Sequence, residues 1–492
     1  MESNRNYEQI LRLARGGATR FALFEYKRFG LDKVLHNEDI ACLHGRLYKD
    51  LFLSHSGDEA LEFAALSAEK YELAFKETLG FYSGINAATM SLLAGFSEDI
   101  IGEKAHRILN LLPETEDLSS EAKYFVEATR AEAQFLAGDL LSAQKSLRTA
   151  IDHDPLNYIA HASTLKQFGM IAEHRGISYD GLNAFRPPIA VHFAGHMFGI
   201  CEGVKVDFPC LSEAQIRFLE VQISELIQAQ DIGFGYGALA AGADIMIAEA
   251  ILEEGGEIHV ILPSSEEKFI EASVRPYGED WVKRFERCLS KASTFQVIFA
   301  DASWEASALE KEASLSSMGA AIRRAESLSV PSAQILIWDG EIGPVGTASD
   351  ANLWDVTKRP RYVLPYVGER THPGPDFVAT PKFDKAVFSL KTDLCDQIPK
   401  FNDLQLAVKR ALTHRKGSNL EIKQVLCSEV MSAKNFVGDL LNIAQPGSVV
   451  LSEKVANLIT LYHFEDYHSD LIGALENGEK VYALREKGTD FI

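Results

Sequence analysis

The stretch GFGYGALAAGADIMIAEAILEEGGEIHVILP, residues 233–263, carries the fold signal of the middle of the chain. Its glycine-rich start is followed by an apolar run of helical character, and it ends in a strand-like run. A glycine-rich turn that opens a helix presents unpaired backbone N–H groups and the positive end of the helix dipole. The stretch therefore predicts a turn, a helix and a strand of an α/β domain, and the turn suits a phosphate.

Strand-like runs on both sides of this stretch alternate with helical stretches. The runs are IAVHFAG (189–195), GEIHVILP (256–263), FQVIFAD (295–301) and AQILIWDG (333–340). Helical stretches are predicted at 212–230, 237–254, 279–292 and 303–328. The alternation predicts an α/β doubly wound parallel sheet with helices on both faces over residues 186–357.

In such a sheet ligands bind at the carboxyl ends of the strands, so the loops that follow the strands are the candidate site. Gly195 would let a ligand approach the backbone, and the imidazole of His196 could donate a hydrogen bond. Two later loops, the glycine-rich turn and GPVGTASDANLW (343–354), would present backbone amides to the same edge. The predicted ligand-binding residues are Gly195, His196, Gly235, Gly237, Ala238, Gly242, Asp244, Gly343, Gly346, Thr347 and Asp350.

The spacing of the glycines leaves alternatives to a ligand-binding role open. Gly237 and Gly242 match the outer glycines of a P-loop, but Ala243 and Asp244 stand where Lys and Ser/Thr are required. ATP hydrolysis of that type is therefore not expected. The small residues could instead allow close helix-to-strand packing, with Asp244 favoured in a first helical turn by the dipole. For His196, a structural role is an equal alternative.

Together the two glycine loops resemble the SLOG superfamily, Rossmann-like domains related to the LOG phosphoribohydrolases, over about 186–356. Those enzymes carry Gly-Thr-x-x-Glu at their nucleotide site, and Gly346, Thr347 and Asp350 occupy the matching places here, with Pro344 replacing a glycine. The resemblance implies binding of a nucleotide or a nucleotide-derived signal. Asp350 is one methylene shorter than the glutamate, and a ~1 Å displacement can cost ~100-fold in rate. We therefore expect binding without catalysis, and a nucleotide hydrolase acting through Asp350 is the alternative.

Residues 5–176 show helical periodicity and few prolines, which predicts an all-α domain at 1–180. A repeat of about 34 residues over 124–157 is indicated by the spacing of Gly138, Asp139, Ala143, Leu147, Ala150 and Pro155. The pattern resembles tetratricopeptide repeats. HGRLYKDLF (44–52), YELAF (71–75) and FYSGINAATMSLLAG (81–95) resemble the helical region beside the TRAF-binding segment of apoptosis-signal-regulating kinases. That resemblance implies a regulatory or scaffolding role with a protein partner.

The C-terminal segment, 381–492, is predicted to be a small α+β domain. AQPGSVVLSEKVANLITLYHFEDY (444–467) and GEKVYALRE (478–486) resemble the tail of class III nucleotide cyclases, which hold two metal ions on two aspartates. Lys391 falls near the place of the first aspartate, and the segment between 402 and 440 is too short for the hairpin that carries the second. We expect a degenerate, truncated cyclase-like module that packs or forms a homodimer. Residual adenylate or guanylate cyclase activity is an alternative.

Length and composition limit the function classes. A chain of 492 residues corresponds to about three domains, and its net charge of −21 opposes binding to nucleic acid. The six cysteines form no C-x-x-C pair and are expected to be reduced thiols. The sequence fits neither an export signal nor a membrane span. We expect a cytoplasmic signalling sensor or scaffold that needs no cofactor, holds no metal and is not an enzyme.

Overall fold

The protein divides into two compact units, 1–187 with 470–473 and 482–492, and 188–469 with 474–481. The predicted division at 1–180, 186–357 and 381–492 stays a prediction. In the described part of the chain, no helix is long and apolar enough to cross a membrane. The structure, a computed structural model, describes residues 2–15, 18–178, 180–201, 208–298, 306–340, 346–366, 368, 388–392, 400–401, 404–417, 423–428, 436–444, 448–462, 467–475 and 478–486.

The first unit is built from helices joined by short turns. Its α-helices are α1 (Glu2–Arg15), α2 (Thr19–Arg28), α3 (Glu38–Ser54), α4 (Gly57–Thr78), α5 (Phe81–Leu93), α6 (Glu98–Leu109), α7 (Ser120–Leu136), α8 (Leu140–His153) and α9 (Tyr158–Arg175). Consecutive helices from α1 to α8 pack on one another, most extensively α3 on α4 and α7 on α8, and α9 packs on α5 and α7. The predicted N-terminal helical repeats are therefore confirmed.

Local sequence explains where these helices begin and how closely they pack. The side chains of Asn37 and Asp139 each accept the backbone N–H three residues later, at 3.1 Å, and so cap α3 and α8. At Gly45 a Cβ atom would lie 2.6 Å from the ring of Tyr71. A glycine is therefore needed where α3 crosses α4.

The second unit contains a six-stranded sheet in the order β6-β5-β4-β1-β7-β8, and all five neighbouring pairs are parallel. A short pair, β2 with β3, lies outside it. The strands are β1 (Ile189–Gly195), β2 (Gly199–Ile200), β3 (Cys210–Leu211), β4 (Ile232–Gly237), β5 (Glu257–Leu262), β6 (Thr294–Val297), β7 (Ser332–Trp338) and β8 (Arg361–Pro365). The predicted parallel sheet is confirmed.

Alternating side chains of β1 face two different groups of helices. Val191 and Phe193 belong to the main apolar core, whereas His192 points to the other face and stacks on Trp354 at 6.1 Å between ring centroids. Helices α10, α11 and α13 contribute to the main core, and α14 and α15 pack against the sheet and one another. The helices are α10 (Glu213–Ala229), α11 (Ala243–Glu253), α12 (Glu266–Ser273), α13 (Glu279–Lys291), α14 (Ala306–Leu328) and α15 (Gly346–Asp355).

The structure corrects the predicted start of the helix at 237. The glycine-rich residues 232–237 form the buried strand β4, and α11 begins only at Ala243. Glycine disfavours strands, which hid β4 in the sequence. Here the two glycines make room for Phe193, whose side chain would lie 3.1 Å from a Cβ at Gly235 and 2.6 Å from one at Gly237. Strand β8 likewise lies inside the stretch predicted as a connector, 358–380.

A second group of strands follows in the C-terminal part of the chain. Within the second unit β9 pairs antiparallel with β10 and β11, and β11 pairs parallel with β12. The elements are β9 (Phe388–Thr392), β10 (Lys400–Phe401), α16 (Leu404–Gly417), β11 (Gln424–Ser428), α17 (Phe436–Ile443), β12 (Val449–Ser452), α18 (Glu453–Leu461), β13 (Tyr467–Ala474) and β14 (Lys480–Glu486). The cyclase-like assignment stays a prediction.

The structure also corrects the expectation that every cysteine is a reduced thiol. Cys201 and Cys210 form a disulfide, with Cα atoms 5.8 Å apart, beside the β2–β3 pair. Cys42, Cys288 and Cys427 are buried free thiols. The pairing left no signal in the sequence, because it depends on β2 and β3 lying side by side.

Candidate site at the carboxyl edge of the parallel sheet

The candidate site lies at the carboxyl edge of the sheet, between β1 and β7. The chain begins in the middle of the sheet with β1, adds β4, β5 and β6 on one side, and then adds β7 and β8 on the other. The loops after β1 and β7 therefore leave in opposite directions. A reversal of this kind opens a crevice, and open α/β sheets bind their ligands there.

His196 follows β1 directly and is fixed by its backbone. Its N–H donates to the carbonyl of Ile337 at 3.0 Å, and its own carbonyl accepts from the N–H of Ala243 at 3.2 Å. The imidazole Nε2 lies 3.1 Å from Oδ1 of Asp339, and the ring packs edge-on against Tyr366. The side chains of His196 and Asp339 remain 22% and 19% exposed. Both side chains are thus partly exposed, although the Nε2 atom of His196 itself is buried.

Asp244 is a buried carboxyl group in the first turn of α11. Its Oδ2 accepts the backbone N–H of Ala240 at 3.2 Å, and the backbone of Gly195 donates a further hydrogen bond. Burial raises the pKa of Asp244 to about 7; the hydrogen bond from Ala240 opposes the rise, and the charge of Asp350 adds to it. The backbone amides of Ala240 and Gly195 are therefore used by the chain's own carboxyl group.

Asp350 is the second carboxyl group at this edge, on α15. Burial raises its pKa to about 7, a hydrogen bond with Ser314 lowers it, and the neighbouring Glu310 raises it. Burial also raises the pKa of Glu310. The backbone carbonyl of Asp350 accepts from Nε2 of Gln334 at 3.2 Å, which ties α15 to β7. Near neutral pH, Asp244 and Asp350 are therefore each partly protonated and can donate or accept a hydrogen bond.

Three of the glycines predicted to bind a ligand lie in strands of the parallel sheet. Gly195 ends β1, where a Cβ would lie 2.3 Å from Cβ of Ala243, so this glycine allows α11 to approach the strand. Gly235 and Gly237 lie within β4, as described above. All three glycines allow close packing, which was the alternative interpretation for Gly235 and Gly237, and their role in ligand binding stays a prediction. Ala238 follows β4 in the connection to α11.

Three other predicted residues lie at helix starts. Gly242 precedes α11 with φ of +94°, a backbone conformation that favours glycine. Gly346 begins α15 with φ of +59°, and Thr347 after it is buried. Gly343 lies outside the described residues.

The structure thus brings together Asp244 and Asp350, and it places His196 at the same edge. Sequence reasoning missed Asp339, although a polar residue directly after a buried strand was an available signal. It also missed Glu310 and Ser314, because their position beside Asp350 depends on the packing of α14 against α15. Within the described ranges, no group of three or more His, Cys, Asp or Glu side chains is arranged to hold a metal ion.

Helix α14 also connects this edge to the C-terminal part of the second unit. Glu312, two residues before Ser314, forms an ion pair with Lys454 of α18 at 2.7 Å, and Lys454 is 1% exposed. At Gly319 a Cβ would lie only 2.3 Å from the carbonyl oxygen of Asn457. The helix that contacts Asp350 is therefore packed tightly against α18.

The helical unit contains the segment that matches a known protein family. Its paired packing, α3 with α4 and α7 with α8, is that of helix-turn-helix repeats. Residues 2–91 match the Tetratricopeptide Repeats-Sensor family model. The match spans α1 to α4 and most of α5, and it confirms the tetratricopeptide-like prediction for the N-terminal region. No curated protein matches the chain.

The Tetratricopeptide Repeats-Sensor match suggests a sensor or scaffold role for the helical unit. Repeats of this class generally mediate interactions with other proteins through the surfaces that stacked helices create.

Proposed function

We propose that the second unit binds a nucleotide or nucleotide-derived ligand in the crevice between β1 and β7, and that the sensor-type repeats bind a protein partner. The chain would then be a signalling sensor without catalytic activity. The observation that carries the proposal is the group of polar side chains at this reversal of strand order. Asp244, Asp350 and the His196–Asp339 pair all belong to one edge of the sheet.

The chemistry of these side chains favours the nucleoside part of such a ligand. Ribose hydroxyls and base amino groups are hydrogen-bond donors, and carboxylates accept them. A carboxyl group whose pKa is about 7, as for Asp244 and Asp350, can also donate to a ring nitrogen or carbonyl. Several phosphates would be disfavoured beside three acidic groups, because like charges repel.

Signal transmission requires that the ligand favour one arrangement of the protein over another. Helix α14 offers a physical route, since Ser314 contacts Asp350 and Glu312 pairs with Lys454 on α18. A ligand that displaces the carboxyl group of Asp350 would act on the same helix that holds α18.

Thermal unfolding of the full chain with adenosine, guanosine and their monophosphates tests the proposal. We expect at least one of them to raise Tm, because a ligand that binds only the folded state stabilises it. Asp350→Asn should remove this shift. Glu253→Gln, at the exposed end of α11, is the matched control and should keep it. No shift with any nucleoside or monophosphate in the wild-type protein would reject the proposed ligand class.

A nucleotide hydrolase is the second candidate, and the raised pKa of Asp350 favours it. A carboxyl group with a pKa of about 7 is suited to act as a general acid near neutral pH. Incubation with nucleoside monophosphates should then release free base. Asp350→Ala should abolish the release and Asp350→Glu, which restores the glutamate of the LOG enzymes, should increase it. Wild-type protein that releases no base would remove this candidate.

A further inference from the structure

Four alternate helices of the first unit, α3, α5, α7 and α9, meet through a buried polar network. Nζ of Lys49 donates to Oδ1 of Asn86 at 3.2 Å and to Oε1 of Gln167 at 2.8 Å. Nε2 of Gln167 donates to Oε1 of Glu132 at 3.0 Å, and Oγ1 of Thr89 donates to the same oxygen at 2.5 Å. These five residues, here called the inner network, fix the Lys49 ammonium group at the meeting point of the four helices.

Two further cations act on the charge of this ammonium group. Burial lowers the pKa of Lys49, the charges of Glu132 and Asp50 oppose this, and Arg46 and Lys166 add to it. Arg46 lies one turn before Lys49 on α3, and Lys166 precedes Gln167 on α9. Arg46 therefore shares a face of α3 with Lys49, and Lys166 adjoins the glutamine that Lys49 contacts.

Arg46 and Lys166 have no hydrogen bond or ion pair through their side chains with the residues that the structure describes. Arg46 is half-buried and Lys166 is exposed. In a chain of net charge −21, cations are outnumbered by acids, 49 to 70, so unpaired neighbouring cations are unexpected on charge balance alone. Their positive potential is available to a ligand.

An exposed aromatic ring borders the same place. Tyr82 is 50% exposed and lies one helical turn before Asn86 on α5, so both share a face of that helix. Arg46 is close enough to lower the pKa of Tyr82, which burial raises. The ring of Tyr82 rests edge-on against buried Tyr71, with 6.5 Å between centroids, which holds its position.

We propose that Arg46, Lys49 and Lys166 form an oxyanion-binding site on the inner helices of the repeats. Its ligand carries a phosphate or a carboxylate beside an aromatic group that packs on Tyr82. The site lies in the first unit and does not depend on the proposed ligand of the parallel sheet.

The N–H donors of these three side chains suit a phosphate or a carboxylate. Lys49 uses two of its three N–H donors on Asn86 and Gln167, so one remains for the ligand. The guanidinium group of Arg46 can donate two parallel hydrogen bonds to one oxyanion, and Lys166 adds a mobile positive charge. Because the inner network already holds Lys49, little ordering is required when the ligand binds.

Titration calorimetry of the full chain with inorganic phosphate, phenyl phosphate and benzoate tests the site at constant ionic strength. We expect phenyl phosphate or benzoate to bind about fivefold more tightly than inorganic phosphate, through the ring of Tyr82. The stronger of the two identifies the oxyanion as phosphate or carboxylate. Tyr82→Ala should remove the advantage of the aromatic probe.

The double variant Arg46→Gln with Lys166→Gln should weaken binding of the aromatic probe at least ~10-fold. Neither side chain holds the fold, so helical circular dichroism should be unchanged. Lys145→Gln, an exposed lysine on α8, is the matched control and should bind as the wild type does. Equal binding by the double variant and this control, or no binding of any probe by the wild type, would overturn the site. Adenosine carries no oxyanion, so its binding tests only the ligand site proposed at the edge of the parallel sheet.

Discussion

The two units of this protein bury charged side chains in different ways. In the helical unit, Gln167 links Lys49 to Glu132, so a cation and an acid share one network. At the sheet edge, Asp244 and Asp350 lie among further acids, and each pKa rises to about 7. Burial raises the pKa of Glu132 too, but two hydrogen bonds and the charge of Lys49 oppose the rise. At the sheet edge, the charge of a neighbouring acid adds to the rise instead. The first arrangement supports the fold, and the second keeps groups that can exchange protons near neutral pH.

The largest expected effect tests the network of the helical unit. Glu132→Ala removes the oxygen that accepts from Thr89 and Gln167 and leaves the Lys49 charge without a nearby acid in the network. We expect a loss of about 3–4 kcal/mol in the free energy of unfolding, measured by urea titration with circular dichroism. Glu132→Gln keeps an acceptor oxygen and should cost less than half as much. Equal losses of unfolding free energy in the two variants would mean that the network does not depend on the acceptor oxygen of Glu132.

The next prediction tests the acids of the sheet edge through the pH dependence of protein stability. The pKa of Asp244 is raised from 3.8 in the unfolded chain to about 7 in the folded protein, so the folded state binds the proton more tightly. Stability therefore falls as pH rises from about 4 to about 7 and levels off above that range, a change of up to ~4 kcal/mol. Asp244→Asn removes this contribution. Tm of the variant should exceed that of the wild type by an amount that grows across this pH range, and parallel Tm profiles would contradict the assignment.

A smaller effect compares two glycines inside helices, one in each unit. Gly319→Ala on α14 would place a methyl group against the carbonyl of Asn457 and should destabilise the protein by about 1–3 kcal/mol. At Gly102 on α6, nothing lies within 4 Å of a Cβ, so Gly102→Ala should stabilise it by up to ~1 kcal/mol. Thermal unfolding of both variants measures the difference. We expect the two variants to change Tm in opposite directions. If both variants are stabilised, α14 and α18 are packed loosely.

Much of the fold could be predicted from the sequence, because the signals were local. Strand β1 matches its predicted range, and β5 and β7 differ from theirs by no more than two residues at either end, since each is an apolar run between polar turns. Strand β4 was missed because its glycines mimic a turn, although they serve the packing of Phe193. The disulfide between Cys201 and Cys210 was missed because it depends on the pairing of two strands of only two residues each.

The candidate site was predictable only in part. His196 follows a strand and Asp350 lies in a glycine-rich loop, so both could be proposed from position alone. Asp339, Glu310 and Ser314 take their roles from elements that are distant in sequence. Gly235 and Gly237 lie in tight packing contacts, and a glycine selected for close packing has the same sequence signal as one that approaches a ligand.

The sequence by itself determined the helical repeats of the N-terminal region and the alternation of strands and helices that follows. Periodicity, capping and apolar runs act over a few residues, so they can be read without knowing the fold. Only the tertiary structure decided that Lys49 meets Gln167, 118 residues away, and that Asp244 and Asp350 interact at one edge. Burial and charge interactions depend on which distant segments pack together, and that choice determines which polar residues remain reactive.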